Sequence, residues 1–332
     1  MNYKIKKISE VNQKDLIEFL NTVFPKRLEY YKDNWRWFYR IGFSNFEPIL
    51  IIIESKIVGM AGLIPTNLKI NGKILKAAWF TDFHILKEFR NKGLGKILVN
   101  EWMKISPLQI TYCNDDSLRI FKKFGWKSTN YIERKIFIVN YLKFFPIFNK
   151  LNFLNKIFKK KLKKDIFIQP NKITEKNIDE YCLIENNKKV DENIFTIIRD
   201  KDWFKWRLLD FPNKSDIYEF KYEESVVVFR ILNKKKIKRL HILYTFIKEK
   251  KDNEIFKLIF NWSLKNDIAY IWMIGEKKLN IFKQNFLESF MSKNINFAYW
   301  CKDDSNFSKL ENGVDNNQSS DSDLESIIIN YK

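Results

Sequence analysis

The chain is poor in the residues that build several common kinds of site. Its 332 residues include three cysteines, two histidines, nine glycines and seven prolines. Cys113, Cys182 and Cys301 are odd in number and far apart. That excludes a disulfide framework and leaves no metal-ligand spacing. No metal site is therefore expected, and a reducing cytoplasm is the expected location. Met1-Asn2-Tyr3-Lys4-Ile5 leads into an alternating strand pattern rather than an apolar signal segment, and no uncharged run is long enough to span a bilayer. The chain has no Gly-x-Gly-x-x-Gly and no Gly-Lys-Ser/Thr, so neither a Rossmann turn nor a Walker loop fits. Helix-turn-helix, zinc-finger and RNA-binding signatures are also missing.

What the chain has in excess is positive charge, formally +20. Such a surplus raises the question of nucleic acid or an anionic surface. Lys, Asn and Ile are abundant along the whole sequence, however, and the charge is dispersed, so no specific nucleic-acid partner is expected. At 45% hydrophobic content and 332 residues, two folded units are the prior.

The most informative run is Arg90-Asn91-Lys92-Gly93-Leu94-Gly95. An aromatic, strand-like stretch, Ala77 to Leu86, precedes it. Lys96 to Lys104, with apolar residues at helical spacing, follows it. Glycines at such a junction let backbone N–H groups approach a ligand, and the helix N-terminus adds its positive dipole end. Arg90, Lys92 and Lys96 add charge, so the run suits a pyrophosphate. A second block follows: strand Gln109 to Cys113, then Asn114-Asp115-Asp116-Ser117-Leu118-Arg119-Ile120-Phe121-Lys122-Lys123-Phe124-Gly125-Trp126.

These two blocks, residues 74 to 127, resemble the GNAT superfamily of acyl-CoA-dependent acyltransferases. Arg-x-x-Gly-x-Gly after a strand is that family's coenzyme A signature, and Lys87 stands where many members carry proline. The coarse reading extends the resemblance to residues 1–140. Val11 to Phe24 and Tyr30 to Ile41 read as helices; Pro48 to Ile53, Lys56 to Leu63, Asn67 to Ile70 and Lys73 to Ile85 read as strands. Asn71-Gly72 marks a tight hairpin. Then come helix Gly93–Ser106, strand Leu108–Tyr112, helix Asp115–Phe124 and strand Tyr131–Asn140. The implied fold is α/β (α+β), a mixed, mostly antiparallel sheet with flanking helices.

Residues 141–165 read as a basic amphipathic helix. It is either a linker packed on one domain or a peripheral membrane contact, at the inner membrane face. Residues 166–302 read as a second folded unit. Asp202-Trp203-Phe204-Lys205-Trp206-Arg207-Leu208 echoes Asn34-Trp35-Arg36-Trp37-Phe38-Tyr39-Arg40, a weak internal repeat. Trp206-Arg207, Pro212 and Tyr218 resemble the carboxy-terminal halves of tandem GNAT proteins. This unit has no Arg-x-x-Gly-x-Gly, so coenzyme A is not expected there. Residues 303–332 form a polar tail expected to be disordered.

The resemblance implies transfer of an acyl group, in the first instance from acetyl-CoA, to a primary amine of a small molecule. Tandem GNAT-like proteins in surface-glycan pathways point to an amino sugar. It also implies that the Ile85 and Leu86 backbone pairs with the pantetheine arm. Asn91, Lys92, Gly93, Leu94, Gly95 and Lys96 would hold the pyrophosphate, Arg90 would support the loop, and Asn114 and Ser117 would flank the cofactor. The tyrosine that many members carry seven residues after the Asn is Phe121 here, which leaves Tyr112 or water to protonate the thiolate. Candidate bases are Asp82 and His84, each with a structural reading beside it. Alternation places these two on one face and Trp79, Thr81 and Phe83 on the other. Trp35 and Trp37 are core residues or an acceptor-stacking surface. Two rival readings stay open: a Fem-type aminoacyl transferase acting on cell-wall precursors, and a non-enzymatic, membrane-docked binding protein with a relic cofactor site.

Overall fold

The computed structural model describes residues 2–144, 169–188, 195–212, 217–234, 237–248, 252–276, 293–302 and 314–315. The expected basic helix beyond Phe144, a helix expected at 278–286 and most of the tail lie outside these residues.

The first part of the chain runs β1 (Lys4–Lys7), α1 (Gln13–Val23), α2 (Leu28–Phe38), β2 (Ile49–Ile53), β3 (Lys56–Ile70), β4 (Lys73–Ile85), α3 (Leu94–Met103), β5 (Leu108–Cys113), α4 (Asp115–Lys122) and β6 (Lys127–Ile138). Asn12 caps α1 through its side chain, which accepts from the Lys14 amide at 2.8 Å. Asn71 and Gly72 both have positive φ, the conformation a two-residue hairpin turn needs between β3 and β4. The two strands expected at Lys56–Leu63 and Asn67–Ile70 are one continuous strand. Pro65 is tolerated within it because β2 covers β3 only as far as Ala61, and the next strand on that edge begins at Leu68.

The remainder comprises α5 (Tyr141–Phe144), β7 (Asn171–Lys172), α6 (Glu175–Asn187), β8 (Phe195–Ile197), α7 (Lys201–Phe204, continued by a π-helical turn Lys205–Leu209), β9 (Ile217–Tyr222), β10 (Ser225–Lys234), β11 (Ile237–Phe246), α8 (Asp252–Lys265), β12 (Ile268–Glu276), β13 (Lys293–Cys301) and β14 (Val314–Asp315). Strand β14 falls in the tail expected to lack structure; it pairs with β8.

All the described strands join one sheet, ordered β1-β2-β3-β4-β5-β13-β6-β12-β11-β10-β9-β7, with β8 on β3 and β14 on β8. The segment β9-β10-β11-α8-β12 repeats the pairing of β2-β3-β4-α3-β5: two antiparallel contacts, a helix, then a parallel contact. At the centre the two sets trade strands. Strand β13, late in the chain, pairs with β5, while β6 pairs with β12. A reciprocal contact joins the two echoing segments. The Trp37 indole donates to the Trp206 carbonyl at 2.8 Å, and the Trp206 indole donates to the Trp37 carbonyl at 2.7 Å.

One large core includes Trp79, Trp102, Tyr31 and Phe297, while a smaller one under α8 includes Phe229, Phe256 and Ile271. Helix α3 buries Leu94, Leu98, Val99 and Trp102. Burial of an aliphatic side chain such as Leu98 contributes about 1.5–3 kcal/mol, enough to fix the helix over the sheet.

Candidate active site

Strands β4 and β5 pair in parallel at only two positions, Ala78↔Gln109 and Trp79↔Ile110. Beyond these, β4 continues to Ile85 and β5 to Cys113 without further pairing, and this unpaired stretch between the two strands is the wedge. The helices that follow the two strands both begin at the mouth of this wedge. Gly93, with φ +79°, starts α3. Asn114 starts α4 and accepts the Ser117 amide on its side chain at 2.8 Å.

Arg90, Asn91, Lys92, Gly93 and Lys96 are exposed, Gly95 is half-buried and Leu94 is buried. The Gly93 carbonyl takes the amides of Lys96 at 3.1 Å and Ile97 at 3.2 Å. The Leu94 and Gly95 amides precede the first intrahelical bonds and point out of the helix end, as first-turn donors do. A side chain at Gly93 would meet no atom within 4 Å, so the space in front of it is open. Arg90 braces this loop: its Nε donates to the Ile85 carbonyl at 2.9 Å. Leu86 turns its amide the other way, to the Val58 carbonyl on β3 at 2.9 Å, so Ile85 is the residue on the open edge. Lys92 lies 5.2 Å from the centre of the Phe89 ring.

On β4 a bulge interrupts the expected alternation. The register with β3 shifts between Met60 and Gly62, and Asp82 takes φ +50°. The extra residue turns Phe83 toward α3, where it lies 5.8 Å from Phe80 and 3.8 Å from the Cβ position of Gly95. This corrects the expectation that Phe83 shares a face with Trp79 and Thr81. Asp82 and His84 both face the segment before and within α2. The Asp82 carboxylate accepts from Arg27 at 2.7 Å, Tyr31 at 2.5 Å and Tyr39 at 2.8 Å. Burial and the Asp82 charge hold both tyrosine hydroxyls protonated, well above their ordinary range. His84 is half-buried, with Phe24 at 6.0 Å and Arg90 Nη2 3.4 Å from its Nε2. Burial and then the Arg90 charge push its pKa below 6.5, so the ring is neutral at pH 7.

Tyr112 lies at the root of the wedge, 8% exposed, with Trp79 at 4.9 Å and Phe297 at 5.8 Å. Phe121 is buried on the other face against Phe80 and Trp126, where it offers no proton. Burial and the nearby Asp115 push the Cys113 thiol up to about 12, which argues against a thiolate nucleophile. Asn296 on β13 donates to Asp115 at 2.7 Å, so the last exchanged strand fastens the start of α4. Trp35 is buried, and Trp37 packs against Trp206 and Phe211.

Residues 4–128 match the family model described as an acetyltransferase (GNAT) domain. That match spans well under half of the 332 residues and is a likeness of this segment to the family. A search of curated proteins finds no match. Solved structures share the fold over about nine tenths of the chain. A GCN5-related N-acetyltransferase from Anabaena variabilis ATCC 29413 superposes with a TM-score of 0.60 at 12% identity, covering 91% of this chain and 73% of the other. N-myristoyltransferase from Saccharomyces cerevisiae, solved with bound myristoyl-CoA, gives 0.59 at 13% identity, covering 91% and 79%. A GCN5-related N-acetyltransferase from Kribbella flavida gives 0.59 at 10% identity, covering 90% and 71%. At these identities the likeness is one of fold.

Around the wedge stand several residues that sequence reasoning missed. Arg27, Tyr31 and Tyr39 surround Asp82, and Asn296 and Phe297 arrive from β13. The echo between the two Trp-rich segments was a signal for their contact; nothing in the sequence signalled the strand exchange. Among the described residues no helix is long and apolar enough to cross a membrane, and no cluster of His, Cys, Asp and Glu is arranged to hold a metal.

Proposed function

We propose that this protein transfers an acyl group, acetyl in the first instance, from acyl-CoA to a primary amine of a small molecule. The observation that carries the reading is the open wedge with the Gly93 loop at its mouth. That loop offers two outward amides and a helix dipole, and Arg90, Lys92 and Lys96 are exposed along it. Such a helix end suits a diphosphate. In this reading the pantetheine arm lies along the open edge of β4 past Ile85, and Asn114 and Ser117 flank it from α4.

The amine nitrogen then attacks the thioester carbonyl carbon. The C–N bond forms, the C–S bond breaks, and the amine's surplus proton passes to His84, which is neutral and half-buried. The departing thiolate takes a proton from Tyr112 or from water. Asp82, held by three donors, serves to position α2 rather than to accept the proton. Residues 166–302 act as a second GNAT-like unit that completes the site through β13 and holds no coenzyme A of its own. An amino sugar is the acceptor we favour, and the cytoplasm the location.

Thiol release from acetyl-CoA, measured across a panel of amino sugars and other primary amines, tests the proposal. Turnover with at least one amine, lost in Gly93→Trp, supports it. Absence of coenzyme A binding at millimolar concentration would overturn it.

A further inference from the structure

The root of the wedge is filled with aromatic rings. We infer that Trp79, Tyr112 and Phe297 form a floor that confines the transferred group to a short acyl chain. This rests on the donor reading above. Just past the last β4–β5 pair, the Thr111 hydroxyl donates to the Phe80 carbonyl at 2.8 Å and stitches the two strands together. Trp79 is 1% exposed and Phe297 is fully buried, with their ring centres 6.1 Å apart. Tyr112 packs on both and keeps 8% of its surface in the open. On the opposite face Phe80 is packed by Trp102 at 4.1 Å and Phe121 at 5.2 Å.

A thioester whose diphosphate sits at Gly93 and whose arm follows β4 aims its acyl carbon at this root. A methyl group meets only the open part of Tyr112. Each further methylene has to displace a ring that is in contact with rings on both sides, and close-packed interiors resist such insertion. The same fold accommodates myristoyl-CoA in the yeast enzyme, so the restriction is a property of these side chains rather than of the fold. Phe297 is the informative member. It reaches the floor on the exchanged strand β13, opposite Tyr112.

The test is calorimetric titration of CoA, acetyl-CoA and octanoyl-CoA into the full chain and into Phe297→Ala. Phe297→Leu serves as a second variant if the first fails to fold by circular dichroism. The wild type is expected to bind CoA and acetyl-CoA with similar affinity and octanoyl-CoA about tenfold or more weaker, since the pocket discriminates by methylene volume. Shortening Phe297 is expected to raise the ratio of octanoyl-CoA to CoA affinity toward one. Octanoyl-CoA binding to the wild type as tightly as CoA, or a ratio unmoved in the variants, would overturn the floor. If none of the three ligands binds, the donor reading fails and takes this inference with it. CoA itself thus tells the two failures apart.

Discussion

Replacing Gly95 with alanine separates the site's chemistry from the fold's stability. Gly95 lies in the first turn of α3 without positive φ, and an added Cβ meets only Phe83 Cζ at 3.8 Å, an ordinary contact. The folded protein therefore has no steric objection, and alanine's better helix propensity is worth up to about 1 kcal/mol in its favour. The thermal midpoint should hold or rise. Binding should do the opposite. A methyl group beside the outward Leu94 and Gly95 amides keeps a diphosphate from closing on them. Losing one charge-assisted hydrogen bond of about 1.5–3 kcal/mol weakens binding by about 10- to 150-fold. Gly93→Ala makes a useful contrast. No atom opposes its Cβ, but φ +79° costs a non-glycine residue about 1–2 kcal/mol. That variant should lose both stability and affinity. Titration calorimetry with CoA and a thermal melt on each variant supply the four numbers. An unchanged CoA affinity in Gly95→Ala, with the protein folded, would refute the reasoning.

Asp82→Ala strips three donors of their acceptor and leaves two buried tyrosine hydroxyls behind; the expected loss is about 2–4 kcal/mol in urea denaturation. Arg27, with its side chain 30% exposed, is the smallest contributor to that loss because solvent screens it. If His84 accepts the amine's proton, kcat/KM for acyl-CoA falls on the acid side with an apparent pKa below 6.5, and His84→Gln removes that limb. His241, fully buried beside Arg230 and Arg239, is held neutral well below its ordinary 6.5. Above that value both folded and unfolded states carry it uncharged. As pH falls below it only the unfolded state takes up the proton, so stability drops by about 1.4 kcal/mol per pH unit. His241→Phe should flatten the fall of the urea midpoint between pH 6.5 and pH 5.5, just below the ordinary value.

The parts of the site that were legible share one property: their geometry is encoded locally. Arg90 to Gly95 is a strand, a tight loop and a helix start within one short run, so the glycines announce the turn. Asn114 announces a helix cap in the same way, and Asn71-Gly72 a hairpin. The bulge at Asp82 was not legible, because alternation counts residues and a bulge adds one. Its cause is distant: Arg27, Tyr31 and Tyr39 hold Asp82 from more than 40 positions away. Phe297 was beyond reach for a stronger reason. Its strand, Lys293–Cys301, was not read from the sequence, and only the sheet order reveals that β13 lies between β5 and β6. The half of the site proposed to hold the cofactor is thus local in sequence, and the half proposed to face the acyl group and acceptor is assembled from long-range contacts.

A crystal structure of the protein soaked with coenzyme A tests the central claim most directly. The account predicts density for the diphosphate within hydrogen-bonding distance of the Leu94 and Gly95 amides, with the arm descending between β4 and β5 toward Tyr112. Coenzyme A bound elsewhere on the surface, with this wedge empty, would contradict it.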